Sequence, residues 1–356
     1  MSKIIESSSK KSNKLIALMS FWGILLVILG HSGFEEPIVA ENLRALDTWI
    51  YSFHMPLFFF ISGYLYSLTN KSFLDIQPGM FLKKKFIRLY IPYIVLGLIV
   101  FGIKYGLSGL MGVSREYSIR DFLLMFIAPR WQNSTMGYLW FIVTLFFLFV
   151  IITAIGHVRL DLKKPEVALI VILLGWAIRY CLPEQDWIKL FNFYALMWYI
   201  PFFIIGIQYQ CNEESLTRIV ASSSWVKTAI LFVITLIGTW LLMESVNTPI
   251  NYLWKIVFAI VGIVFSMSLC CVLLELKTIR PYVLPFGDIT YTIYLMSFFG
   301  QYSTKALVVN ILHLPWPFWV ISMFIGGLVF PLLVYWIYKS TNEFGGNKFL
   351  KIVIGA

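Results

Sequence analysis

His31 and His54 are two ionisable side chains set in strongly apolar sequence. His31 closes the stretch LIALMSFWGILLVILGHSG (Leu15–Gly33), and His54 lies just inside the next apolar run, Ile50–Leu68. An ionisable group within a bilayer is costly, so it usually faces the protein interior or an aqueous cavity and marks a functional site. Neutral imidazole suits general-base chemistry, because its unperturbed pKa of about 6.5 lies near working pH. Two imidazoles bonded to neighbouring helices would instead only stiffen a bundle. Either role requires helices that bring both rings to one depth. On a helix starting at Leu15, His31 lies about 24 Å along, near the outer side of a ~30 Å core. A second helix entering from outside near Ile50 places His54 about 6 Å below that surface. The other histidines, His157 and His313, fall between apolar spans and read as solvated.

The elements that hold this pair follow from composition. The chain has 356 residues, 59% hydrophobic and 13% charged, with a mean hydropathy of +0.81. Soluble domains average about 45–50% apolar and about 25% charged residues. A membrane-spanning helix needs about 20 mostly apolar residues. Ten stretches qualify: Leu15–Gly33, Ile50–Leu68, Phe86–Tyr105, Tyr138–Ile155, Val167–Leu182, Phe191–Ile207, Trp225–Met243, Tyr252–Leu274, Ile289–Leu307 and Trp316–Tyr338. None shows the alternation of an outer-membrane barrel strand. The expected fold is an all-α integral membrane protein, a bundle of about ten transmembrane helices forming a single domain over 1–356. A basic tail (1–14), the bundle (15–338) and a second tail (339–356) divide it. The first span is long for a signal-peptide core and no small-residue cleavage pattern follows it, so it is expected to remain.

The net charge of +10 raises the possibility of nucleic acid, but its distribution argues against that partner. Lys3, Lys10, Lys11 and Lys14, then Lys83, Lys84, Lys85 and Arg88, then Arg159, Lys163 and Lys164, and later Lys277, Arg280, Lys339, Lys348 and Lys351, all fall on one side when ten spans alternate. The positive-inside rule then places both termini in the cytoplasm. Cys181, Cys211, Cys270 and Cys271 lack metal-site spacing and read as reduced, packed thiols, so no metal is expected.

Six motifs occur in order along the chain. They are ILLVILGHS (Ile24–Ser32), YSFHMPLFFFISGYLY (Tyr51–Tyr66), KKKFIRLYIPY (Lys83–Tyr93), LWFIVTLFF (Leu139–Phe147), WYIPFFIIG (Trp198–Gly206) and GDITYTIYLMS (Gly287–Ser297). Together they resemble the acyltransferase-3 family of bacterial membrane O-acyltransferases, especially its fucose 4-O-acetylase-like branch. The resemblance implies a multi-pass protein of the bacterial cytoplasmic membrane. Such a protein transfers an acyl group, usually acetyl from cytoplasmic acetyl-CoA, to a hydroxyl of a surface polysaccharide or lipid-linked sugar. It also implies His31 as the base that deprotonates the acceptor hydroxyl, with His54 as its partner in the site. A homodimer is one assembly expected of it.

Attack on a thioester builds an oxyanion that preorganised donors stabilise. Ser62, Tyr64 and a His54 N–H are candidates, although Ser62-Gly63 also suits close helix packing. At the other end of the donor, Lys84, Lys85 and Arg88 stand where a helix begins on the inner surface, which favours phosphates. From there the donor's arm could thread up between helices toward His31. Ordinary lipid anchoring explains the lysines equally well, whereas Arg88 matches the family's arginine. Between the third and fourth spans, Arg130 and Trp131 offer a guanidinium fork and an aromatic face to a sugar acceptor, or an interface anchor. In the same segment, DFLLMFIAP (Asp121–Pro129) fits a short interfacial or re-entrant helix.

Two positions depart from the family pattern. Family members generally carry Arg or Lys eleven residues before the His, where this chain has Ser20, and commonly His where it has Ser297. Lys255 and Arg179 could supply charge instead. The departures keep a second reading open, a polysaccharide export component with the same fold and no acyl transfer.

Overall fold

A computed structural model describes residues 2–70, 76–107, 119–129, 136–182, 190–213, 215–216, 224–278, 280–342 and 348–355. The helices are α1 (Ser2–Gly30), α2 (Pro37–Asn42), α3 (Arg44–Thr69), α4 (Pro78–Lys85), α5 (Ile91–Leu107), α6 (Ile119–Ile127), α7 (Trp140–His157), α8 (Pro165–Cys181) and α9 (Phe193–Cys211). After them come α10 (Trp225–Glu244), α11 (Ile250–Glu275), α12 (Arg280–Lys305), α13 (Trp316–Asn342) and α14 (Lys348–Ile354). No strand occurs among the described residues, so the protein is all-α.

Seven helical segments are long and apolar enough to cross a membrane: 13–30, 78–103, 137–157, 190–211, 225–244, 250–275 and 316–341. The three other predicted spans coincide with α3, α8 and α12. At 17 residues, α8 is about 25 Å long. The longer α3 and α12 dilute their apolar residues with His54, Ser52 and Ser62, and with Thr290, Thr292, Ser297 and Gln301.

The chain divides into two compact units. One comprises residues 1–62 and 209–346, the other 63–208 and 347–355.

In the first unit, paired contacts fix the helix directions. Phe21 stacks on Phe286 and Gln301 reaches Ile28, so α1 and α12 run parallel. Gly23 abuts Leu57 and Phe58, whereas Gly30 abuts Ile50 and Tyr51, so α3 runs antiparallel to α1. Gly33 meets Met323 and Gly327 meets Ile28, which makes α13 antiparallel as well. Between α1, α3 and α11 lies a buried cluster of Leu26, Trp49, Ile50, Phe53 and Phe265. In lipid, packing and interhelical hydrogen bonds rather than water exclusion hold such a core. The indole of Trp49 accordingly donates to Thr235 Oγ1 at 2.9 Å, and that of Trp22 to Ser266 Oγ at 3.2 Å.

In the second unit, Tyr66, Phe81, Phe149 and Phe203 form an aromatic knot. Between α4 and α5 the backbone takes one wide turn, Phe86–Tyr90, in which the Ile91 N–H donates to Phe86 O, five residues back. Such turns are often found at functional sites. The short α6 lies lengthwise against α5, from Phe122 on Phe101 to Phe126 beside Tyr93. Its closing carbonyls, Met125 and Phe126, accept from the hydroxyls of Tyr93 and Tyr90. A helix end leaves carbonyls that need such partners, and the two tyrosines of the preceding helical segment supply them.

Candidate functional site

Helix α1 stops at Gly30, so His31 sits in the turn just beyond it rather than on the helix itself. Its N–H still donates to Val27 O at 3.0 Å. The chain then turns away at Gly33, whose φ of +87° suits glycine.

A helix end leaves four carbonyls without intrahelical partners, and here every one of them is satisfied. Val27 O takes the His31 N–H, and Leu29 O takes the Ser32 N–H at 2.9 Å. Ile28 O accepts from Ser32 Oγ at 2.7 Å and from Gln301 Nε2 of α12 at 2.8 Å. Gly30 O accepts from the Tyr51 hydroxyl of α3 at 3.2 Å. Thus two other helices close the terminus that carries His31.

Tyr51 also lies between the two histidines. Its ring stands edge-on to His31 at 6.4 Å between centroids and edge-on to His54 at 4.8 Å. His54 is 2% exposed and His31 half-buried. Nδ1 of His54 lies 2.8 Å from Ile50 O. A carbonyl only accepts, so Nδ1 is the protonated nitrogen and a neutral ring keeps its lone pair on Nε2. That tautomer offers a base or an acceptor, and no second N–H toward an oxyanion. The pair expected at one depth is therefore brought together, with Tyr51 as an intermediary to which the sequence reading gave no role.

Beyond His31, the loop is tied to α12 again. Lys305 Nζ pairs with Glu36 at 2.6 Å and approaches Glu35 at 3.9 Å. Below His31, Ser20 donates to Ile16 O of its own helix at 2.8 Å. Its hydroxyl is thus spent within α1, and it brings no charge to the place of the family's cation.

The remaining predicted residues are more scattered. On α3, Ser62 lies about 12 Å along the helix axis from His54 and Tyr64 about 15 Å. Ser62 is half-buried and Tyr64 fully buried. Between them, Gly63 is pressed so closely on α9 that a Cβ there would run into the Phe203 carbonyl. This is the close helix packing foreseen for Ser62-Gly63.

In the basic cluster, Lys84 and Arg88 are exposed, Arg88 within the wide turn. Lys85 differs, because its ammonium lies 4.3 Å from the Phe149 ring centroid and 5.2 Å from that of Phe81. Arg179 stacks on the Tyr194 ring at 3.1 Å. His157 and His313 are exposed, as expected. Cys270 and Cys271 are buried, but Cys181 and Cys211 are exposed, so the packed-thiol reading fits only the first two. Arg130 and Trp131 lie outside the described residues. No cluster of three or more His, Cys, Asp or Glu side chains occurs among the described residues.

Gln301 went unnoticed in the sequence, although an amide within the apolar stretch Ile289–Leu307 is the kind of polar intrusion that marked His31. Buried at 3% exposure, it donates to both Ile28 O and Ser32 Oγ, the latter at 3.3 Å.

No curated protein and no solved structure matches the chain significantly. A family model described as an acyltransferase domain matches residues 16–336, from within α1 to within α13. With an all-helical, multi-pass architecture and an imidazole pair at the closed end of its first span, the chain belongs to the acyltransferase-3 family of membrane acyltransferases.

Proposed function

We propose that the protein is an O-acyltransferase, in its simplest form an O-acetyltransferase, of the bacterial cytoplasmic membrane. It takes the acyl group from cytoplasmic acyl-CoA and places it on a hydroxyl of a surface polysaccharide or lipid-linked sugar. The observation that carries this reading is the imidazole pair, His31 and His54, ordered about Tyr51 at a helix end where every carbonyl is satisfied. His31 is the base. It accepts the proton of the acceptor hydroxyl as that oxygen bonds to the thioester carbonyl, and the thiolate of coenzyme A departs and is protonated in turn. Proton transfer of this kind contributes about a hundred- to ten-thousandfold in rate. His54 supports the site through its Nε2 lone pair. Arg88, with Lys84, takes the donor's phosphates. Ten spans with both termini in the cytoplasm complete the reading, on the strength of the basic clusters.

The test is His31→Ala in the living cell. Proton NMR of the surface glycan is expected to lose its O-acyl signals, while polymer display and the membrane level of the protein stay near normal. Retained ester signals remove the base assignment. Loss of the polymer altogether favours an export component.

A further inference from the structure

We infer that Gln301 is a positioning residue for His31, an amide on α12 that fixes the end of α1 from outside the helix. The inference rests on the acyl-transfer reading for its consequence in rate, though not for its geometry. A helix terminus frays when its last carbonyls lack partners. The His31 side chain hangs from such a terminus, one residue beyond the helix. Of the carbonyls below it, Val27 and Leu29 are satisfied by the turn's own N–H groups, Gly30 by Tyr51, and Ile28 by Ser32 and Gln301 together.

Gln301 therefore reaches two points on either side of His31 with one nitrogen, Ile28 O at 2.8 Å and Ser32 Oγ at 3.3 Å. Ser32 is fully buried and Gln301 nearly so. Loss of the amide leaves Ile28 O to Ser32 Oγ and unties both residues from α12, so the segment that carries His31 loses its tether to that helix at this point. Gly327 of α13 makes room for this clamp. A Cβ there would come within 2.9 Å of Gln301 Cγ and 2.7 Å of Ile28 Cγ2. One turn further along α12, Lys305 binds Glu36, so the same helix holds the loop on the far side of His31. A base must sit within a fraction of an ångström of its working geometry, and it is the supporting residues that set this.

Gln301→Leu keeps the volume and removes both N–H donors, and Gln301→Asn shortens the reach by one methylene. Each is studied in the full chain in membranes. Carbethoxylation of His31 by diethylpyrocarbonate, read by mass spectrometry, reports its setting without any need for acyl transfer. Exposed His157 and His313 serve as internal references. The expected result is a several-fold change in the His31 modification rate with the references unchanged. With it, kcat falls about ten- to a hundredfold, at a donor KM within about twofold, since uniform binding is untouched.

Unchanged modification of His31 overturns the inference, as does a loss of activity that only tracks loss of folded protein. Should Gln301→Leu fail to accumulate, Gln301→Asn and Gly327→Ala, which crowds the amide without removing it, give the same reading. If His31→Ala leaves transfer intact, the acyl-transfer role of His31 falls. The modification rate in the Gln301 variants then still decides whether the clamp exists.

Discussion

The hydroxyl of Tyr51 donates to the main-chain oxygen of Gly30 across 3.2 Å, joining the second long helix to the first one residue before His31. A single side chain thereby meets the backbone beneath one imidazole and the rings of both.

Tyr51→Phe tests the hydroxyl alone. A neutral hydrogen bond contributes about 1 kcal/mol, so thermal unfolding in detergent is expected to shift slightly while kcat falls a few-fold. Tyr51→Ala also removes both edge contacts, each worth about 0.5–1.5 kcal/mol, and is expected to be the more damaging in both assays. Equal effects of the two variants would assign the whole contribution to the hydroxyl and none to the ring contacts.

For His54, substitution by Phe keeps a ring of similar size against Tyr51 and removes both nitrogens. Folding is expected to survive, because the Nδ1–H bond returns to Ile50 O within the same helix. Activity is expected to fall about a hundredfold if Nε2 takes part in proton traffic. Wild-type turnover in this variant would reduce His54 to packing.

Gly63 and Ser62 separate structure from chemistry on adjacent positions. Gly63→Ala forces α3 away from the Phe203 carbonyl, and overpacking of this kind costs about 1–3 kcal/mol or more. Its unfolding midpoint is expected to drop clearly. Ser62→Ala is expected to leave the midpoint and the rate near wild type. A rate loss of about a hundredfold or more in Ser62→Ala would instead reinstate it as an oxyanion donor.

In the basic cluster the expected order is Arg88→Ala first, then Lys84→Ala, in raising the KM for acyl-CoA. Lys85→Met is expected to change donor binding least, since the ammonium lies over Phe149 and Phe81. Its penalty falls on stability, at about 1 kcal/mol for a partly exposed cation–aromatic contact. Isothermal titration with the donor distinguishes these variants. Equal effects of Arg88→Ala and Lys84→Ala would indicate a diffuse lipid-facing surface.

Helical character was readable because apolar runs of membrane length leave little choice of structure. The common depth of His31 and His54 was readable because helical rise is constant. Rotation about the helix axis was not, for hydropathy says nothing of which neighbour a face meets, so Tyr51 and Gln301 escaped notice. The halt of α1 one residue short of His31 escaped as well, since an apolar run does not mark where hydrogen bonding ends. Ser62 was ambiguous in sequence for a related reason. Small residues serve both packing and chemistry, and the nearness of Phe203 accounts for Gly63 alone. Arg88 stood out by type and position, but the wide turn around it leaves no trace in composition. The place where α6 packs became visible only through Tyr90 and Tyr93, whose hydroxyls meet its last carbonyls.

Ile28 and Gln301 are 273 positions apart in the chain. During synthesis the first helix therefore enters the bilayer long before the amide that completes it has been translated. Until that late segment is inserted, the nascent protein carries its histidine on an unfinished end. A polypeptide halted short of residue 301 is then expected to be inert even where its earlier helices are correctly inserted, so catalytic competence arrives only as synthesis nears its close.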